Sequence, residues 1–132
     1  MTIIVDASVA AKWLLKEEHS LQANALRSED ALIAPALIAA ELGNVLWKAY
    51  RRGTVSRADA LTALQLGLCA FGELVATETL DAQALTLALD LNHSVYDCFY
   101  LALAQRESAP LATADVAMIA AARKAKIKVR RI

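Results

Sequence analysis

The sequence predicts a three-layer α/β domain on a mostly parallel sheet. Short apolar runs alternate with longer segments of helical apolar spacing. A length of 132 residues suits one domain, residues 1–132, with one sizeable core. No linker, internal repeat or low-complexity stretch interrupts the alternation.

Thr2 to Val5 is a β-branched apolar run, the pattern of a strand buried on both faces, and Asp6 stands at its carboxyl end. A helix is predicted from about Ser8 to Lys16, a second from about Ser20 to Ser28, and a short strand near Leu32 and Ile33. Pro35 suits the first turn of a longer helix that runs to Arg52 and is ended by Gly53. Ser56 and Asp59 have capping-box spacing for a helix to about Phe71, broken by Gly72. Leu74 to Ala76 is a further brief strand. Thr79 to Leu91 is helical by its leucine and alanine spacing, with Asn92 and His93 ending it. Ser94 and Asp97 repeat the capping-box spacing and open a helix to about Glu107. Pro110 to Ala114 reads as a strand, Asp115 to Lys126 as a helix, and Ile127 to Ile132 as a last strand with its basic residues outward.

The chain is 58% apolar, high for a small monomer, so part of that surface is expected to meet a partner. No apolar run approaches the ~20 residues that span a bilayer, and the first fifteen residues do not read as a signal peptide. A cytoplasmic protein without membrane contact is expected. Cys69 and Cys98 lack metal-ligand spacing and read as buried free thiols. The net charge is zero, so any attraction to nucleic acid must be local. Arg123, Lys124, Lys126, Lys128, Arg130 and Arg131 crowd the last ten residues, and Arg51 and Arg52 follow Lys48 at the end of the third helix. Such runs are usually solvated faces; phosphate contact is the functional reading, with Lys48, Arg51 and Arg52 as its candidates.

Four acids in apolar surroundings are the main chemical signal: Asp6 in IIVDASV, Glu41 in IAAELGNVLWK, Asp97 in VYDCFYLALA and Asp115 in LATADVAM. Asp6, Asp97 and Asp115 each have a purely structural reading as helix-cap residues, and Glu41 one as a solvated border carboxylate. Ligands of parallel sheets, however, bind beyond the carboxyl ends of the strands, where Asp6 and Asp115 both fall. Glu41 lies at the border of its helix's apolar stripe, beside Asn44, Lys48 and Arg51, and is half turned inward. Asp97 is the one charge from Val95 to Ala104, in a first turn that favours it. Ser8 and Thr113 add hydroxyls at the same edge. Gathered carboxylates repel unless some are protonated or bind a cation, and an oxygen-only set selects Mg²⁺ or Mn²⁺ over zinc. His19 and His93, in polar loop-like contexts, read as surface residues, and Tyr96, Phe99 and Tyr100 as core. One or two divalent ions on such a set suit hydrolysis of a phosphate ester.

VDASV, AELGNVLWKA, YDCFYLALA and LATAD, in this order and spacing, resemble the PIN-domain ribonucleases, specifically the VapC-type toxins of prokaryotic toxin–antitoxin pairs. The resemblance covers essentially the whole chain. It implies a three-layer α/β/α domain and makes Asp6, Glu41, Asp97 and Asp115 the catalytic, metal-binding set. Ser8, Asn44 and Thr113 then match positions supporting the metal or the substrate phosphate. It further implies endoribonuclease activity dependent on Mg²⁺, with Mn²⁺ as substitute, a homodimer, an RNA substrate and a VapB-type antitoxin. Two alternatives stand beside it. One is a metal-dependent phosphatase-like enzyme, disfavoured because VDAS lacks DxD spacing; the other is a noncatalytic PIN-like protein-binding module.

Overall fold

The computed structural model describes residues 1–16, 18–29 and 31–132. In chain order the elements are β1 (Thr2–Val5), α1 (Ala7–Leu14), α2 (Ser20–Glu29), β2 (Ala31–Pro35), α3 (Ile38–Arg51), α4 (Arg57–Cys69), β3 (Glu73–Val75), α5 (Asp81–Leu91), α6 (Val95–Glu107), β4 (Leu111–Thr113), α7 (Val116–Lys124) and β5 (Val129–Arg131). A short 3-10 turn, Thr77–Thr79, leads into α5. All strand pairings are parallel, in the order β3-β2-β1-β4-β5.

That order explains the composition of β1. It is the central strand, with helices over both faces, and Ile3, Ile4 and Val5 are fully buried. The chain winds outward from β1 through β2 to β3, then crosses back to β4 and on to β5. Right-handed crossovers therefore put α1–α4 on one face and α5, α6 and α7 on the other. α1 accordingly packs on α2, α3 and α4, while α6 packs on α5, β1 and β2. The winding reverses between β1 and β4, and ligands of such sheets bind beyond the carboxyl ends of the strands at that point.

The helices follow their apolar spacing. On α3, Ile38, Leu42, Leu46 and Ala49 form the inward stripe. α6 is enclosed on most sides, with Cys98 and every residue from Tyr100 to Ala104 buried. α5 ends in a left-handed Asn92, and Gly53, at φ 76°, supplies the reversal after α3.

Four expectations change at the level of elements and packing. Pro35 does not start a helix but ends β2 opposite Val75; the next residue, Ala36, donates its N–H to the Val75 carbonyl at 2.7 Å, so the missing proline donor costs the ladder nothing. α3 starts only at Ile38. Ser94 precedes α6, but its hydroxyl makes no capping bond. Cys69 is exposed at the end of α4, whereas Cys98 is buried as expected. Tyr96 is 61% exposed, because it lies on the outer side of the first turn of α6. Among the described residues, no helix is long and apolar enough to cross a membrane.

Candidate active site

The register of the two central strands builds the first half of the site. Ile4 pairs with Leu111 and Val5 with Ala112, so the next residues outward, Asp6 and Thr113, stand side by side where the strands end. Both are buried, Asp6 at 3% exposure. Asp6 Oδ1 accepts from the Ser8 hydroxyl at 2.6 Å and the Val9 N–H at 3.2 Å, and Oδ2 accepts from the Thr113 hydroxyl. The two hydroxyls are fixed in turn: Ser8 Oγ accepts from Ala114 N–H at 2.9 Å and Thr113 Oγ1 from Asp115 N–H at 3.0 Å. Desolvation of the buried carboxyl pushes Asp6 up to about 6; the Ser8, Thr113 and Val9 donors oppose this, and the Asp115 charge adds to it.

Asp6 and Asp115 are also helix caps. Asp6 bonds Val9 N–H in α1, and Asp115 Oδ1 accepts from Ala117 and Met118 N–H at 2.8 and 3.1 Å in α7. The cap and the site readings thus coincide at these two positions. Capping fixes each carboxylate at a helix start beyond the sheet edge.

The second half comes from α3 and α6. Glu41, in the first turn of α3, is half-buried and accepts a 2.6 Å hydrogen bond from the Tyr100 hydroxyl of α6. Burial raises its pKa, the Tyr100 bond opposes the rise, and the nearby Asp97 charge reinforces it. Asp97, in the first turn of α6, has Oδ2 2.8 Å from His93 Nε2. The Tyr100 hydroxyl is held well above its ordinary range, first by burial, then by Glu41, Asp6 and Asp97. The charges of Glu41, Asp6 and Asp97 thus act on the Tyr100 hydroxyl, and that of Asp115 acts on Asp6. As the side chains stand, however, no three acidic, imidazole or thiolate groups among the described residues are grouped to hold one ion.

Asn44, Lys48, Arg51 and Arg52 are exposed along α3. The last three line a shallow concavity at its carboxyl end, and the Arg51 guanidinium lies 4.9 Å from the centre of the Trp47 ring. Asn44, Lys48 and Arg51 follow Glu41 at intervals of three, four and three residues, which keeps them on one face of the helix.

Two residues escaped the sequence reading. His93 is not on the open surface: its side chain is 17% exposed and turned to Asp97. The spacing of four residues between them was its signal. Tyr100 is core, as expected, but its hydroxyl serves Glu41; no local pattern reveals a partner 59 residues away.

The donor chemistry fits a hard divalent cation. All four acids offer only oxygen, and none pairs with a lysine or arginine among the described residues. Asp6 is a buried carboxylate whose partners are all neutral donors.

Comparison with known proteins agrees with the fold. Residues 3–124 match the family model of the PIN domain. Ribonuclease VapC3 of Pyrobaculum aerophilum is 35% identical over 118 residues, covering 87% of this chain and 90% of that protein. The crystal structure of VapBC2 from Rickettsia felis, bound to a DNA fragment from their promoter, superposes with a TM-score of 0.75 at 14% identity, covering 100% of this chain and 99% of that one. VapC20 of Mycobacterium tuberculosis, a sarcin-ricin loop cleaving toxin, does so with a TM-score of 0.69 at 18% identity, covering 90% and 94%. At those identities the two structures share the fold. The chain belongs to the PIN-domain family and, within it, to the VapC-type ribonuclease toxins.

Proposed function

We propose that this chain is an endoribonuclease toxin that hydrolyses RNA phosphodiesters with Mg²⁺, Mn²⁺ being able to substitute, through Asp6, Glu41, Asp97 and Asp115. The observation that carries the reading is Asp6: a buried carboxylate at the point where the sheet reverses its winding, without a cationic partner and pushed up to about 6. A cation on these carboxylates supplies charge stabilisation at the phosphate and lowers the pKa of an attacking water.

The chain's own groups supply position. Ser8 and Thr113 hold the Asp6 oxygens, and Tyr100 holds Glu41. Asn44 is a support residue at the border of α3. Lys48, Arg51 and Arg52, exposed further along the helix that carries Glu41, suit the flanking phosphates of the strand. The buried hydroxyl of Tyr100 stays protonated and therefore remains a donor at neutral pH. Residues 1–132 act as one PIN domain in the cytoplasm. The reading includes a VapB-type antitoxin as the partner that holds the toxin inactive, and a homodimer.

Cleavage of RNA by the purified chain, with Mn²⁺ or with EDTA, tests the activity, and Asp97→Asn tests the site. Asn keeps the shape but is a poor ligand for a hard cation, so cleavage should fall at least ~100-fold, about 3 kcal/mol of transition-state stabilisation, with the fold retained. Wild-type rates in Asp97→Asn, or cleavage indifferent to EDTA, would reject the assignment.

A further inference from the structure

His93 owes its place to the end of α5. Asn92 adopts φ 50°, ψ 51°, and the N–H groups of Asn92 and His93 both return to the Ala88 carbonyl. The chain reverses there, and His93 arrives one residue before Ser94, a turn ahead of Asp97. Ser94 has the spacing to cap α6 through Asp97, yet its side chain makes no such bond. His93 meets the Asp97 side chain instead, with Nε2 2.8 Å from Asp97 Oδ2. A carboxylate only accepts, so Nε2 must carry the hydrogen. No other hydrogen bond among the described residues reaches the Asp97 carboxylate. The contact is sheltered, the two side chains being 17% and 30% exposed.

We propose that His93 is a positioning residue for Asp97: it fixes one carboxylate oxygen, orients the other toward the cation, and thereby raises affinity for the metal. The inference rests on the metal-site reading above and adds a residue to it. Unrestrained, Asp97 would lose rotational freedom on binding and would turn away from Glu41, whose charge it faces. With one oxygen already held, that ordering is complete before the cation arrives. Groups that orient metal ligands typically change affinity about 10- to 100-fold when removed. An i,i+4 pair that merely steadied α6 would contribute to melting temperature and leave metal affinity alone.

Calorimetric titration of Mn²⁺ into the intact wild-type chain and into Asp97→Asn, His93→Ala and His93→Gln separates these roles, with thermal melts in EDTA alongside. Asp97→Asn should lose binding. His93→Ala should bind about 10-fold more weakly, while His93→Gln, whose amide can donate from a similar place, should recover most of that affinity. His93→Ala should melt somewhat below wild type, having lost a sheltered bond to a carboxylate, and His93→Gln close to it, so the affinity loss rather than the melt reads the positioning role. Paramagnetic resonance of bound Mn²⁺ should show no directly coordinated nitrogen. If His93→Ala binds like wild type while Asp97→Asn does not, the positioning role is wrong and the metal site stands. A coordinated-nitrogen signal would make His93 a ligand and also overturn the proposal. Equal binding by Asp97→Asn and wild type, or no binding by either, would remove the metal site itself and this inference with it.

Discussion

Tyr100 contributes through a single oxygen atom. Its ring is 1% exposed and fills the middle of α6, while its hydroxyl reaches Glu41 on α3 and ties the layers on opposite faces of the sheet together. Tyr100→Phe keeps the ring and deletes the donor to a half-buried carboxylate. A hydrogen bond to a charged group is worth roughly 1.5–3 kcal/mol, and partial solvent access lowers the loss to about 1–2 kcal/mol. Urea unfolding at pH 7 should show that loss with an unchanged slope; a variant as stable as wild type would mean that water replaces the hydroxyl fully. Both Tyr100 and His93 were legible as residue types but not as partners. An apolar run marks a tyrosine as core, and only the placing of α3 and α6 on opposite faces of the same sheet brings its hydroxyl to Glu41.

At the scale of elements, the strand ends and helix starts decide the site. β1 delivers Asp6 into a buried position where it caps α1, and this creates a pH-dependent stability. Its pKa rises from 3.8 to about 6 on folding. Protonation is therefore favoured in the folded state: the associated stability is fully present below about pH 4 and is lost as the pH rises through 6. Asp6→Asn retains a good cap and carries no charge. In EDTA it should be more stable than wild type at pH 7, by on the order of 2 kcal/mol, with the difference fading toward pH 4. Thermal melts across that range check it, and a difference independent of pH would contradict it. Helices and strands were largely legible, since spacing and Ser56, Asn92 and Asp115 mark their ends. Pro35 was not. Its ring is compatible with a helix start and with a strand end, and the pairing with Val75 on β3, 40 residues later, selects the second.

The whole molecule leaves apolar surface uncovered. Trp47 and Tyr50 on α3 are each 51% exposed and Leu61 on α4 is 63% exposed; with Leu46 and Leu64 they border an open groove of about 420 Å³ between the two helices. On α5, Leu85 and Leu89 are 53% and 74% exposed. On the proposed reading, these exposed apolar residues are where partners would sit. Light scattering of the lone chain should give the mass of a dimer, and co-expression with the product of the adjacent reading frame a larger complex. A strict monomer at high micromolar concentration that ignores that product would count against the proposed partners.

The sequence by itself determined the alternation of strands and helices, the parallel core strand and the identity of the unusual acids, because each is written in local periodicity or in a charge among apolar neighbours. Only the tertiary structure decided that Asp6 stands beside Thr113, that Tyr100 serves Glu41 and that His93 faces Asp97. The first two join residues 107 and 59 positions apart, fixed by strand order and helix packing; the third depends on a left-handed turn at Asn92. A local pattern records what a residue prefers, whereas a hydrogen bond between distant segments exists only after the chain has closed around it.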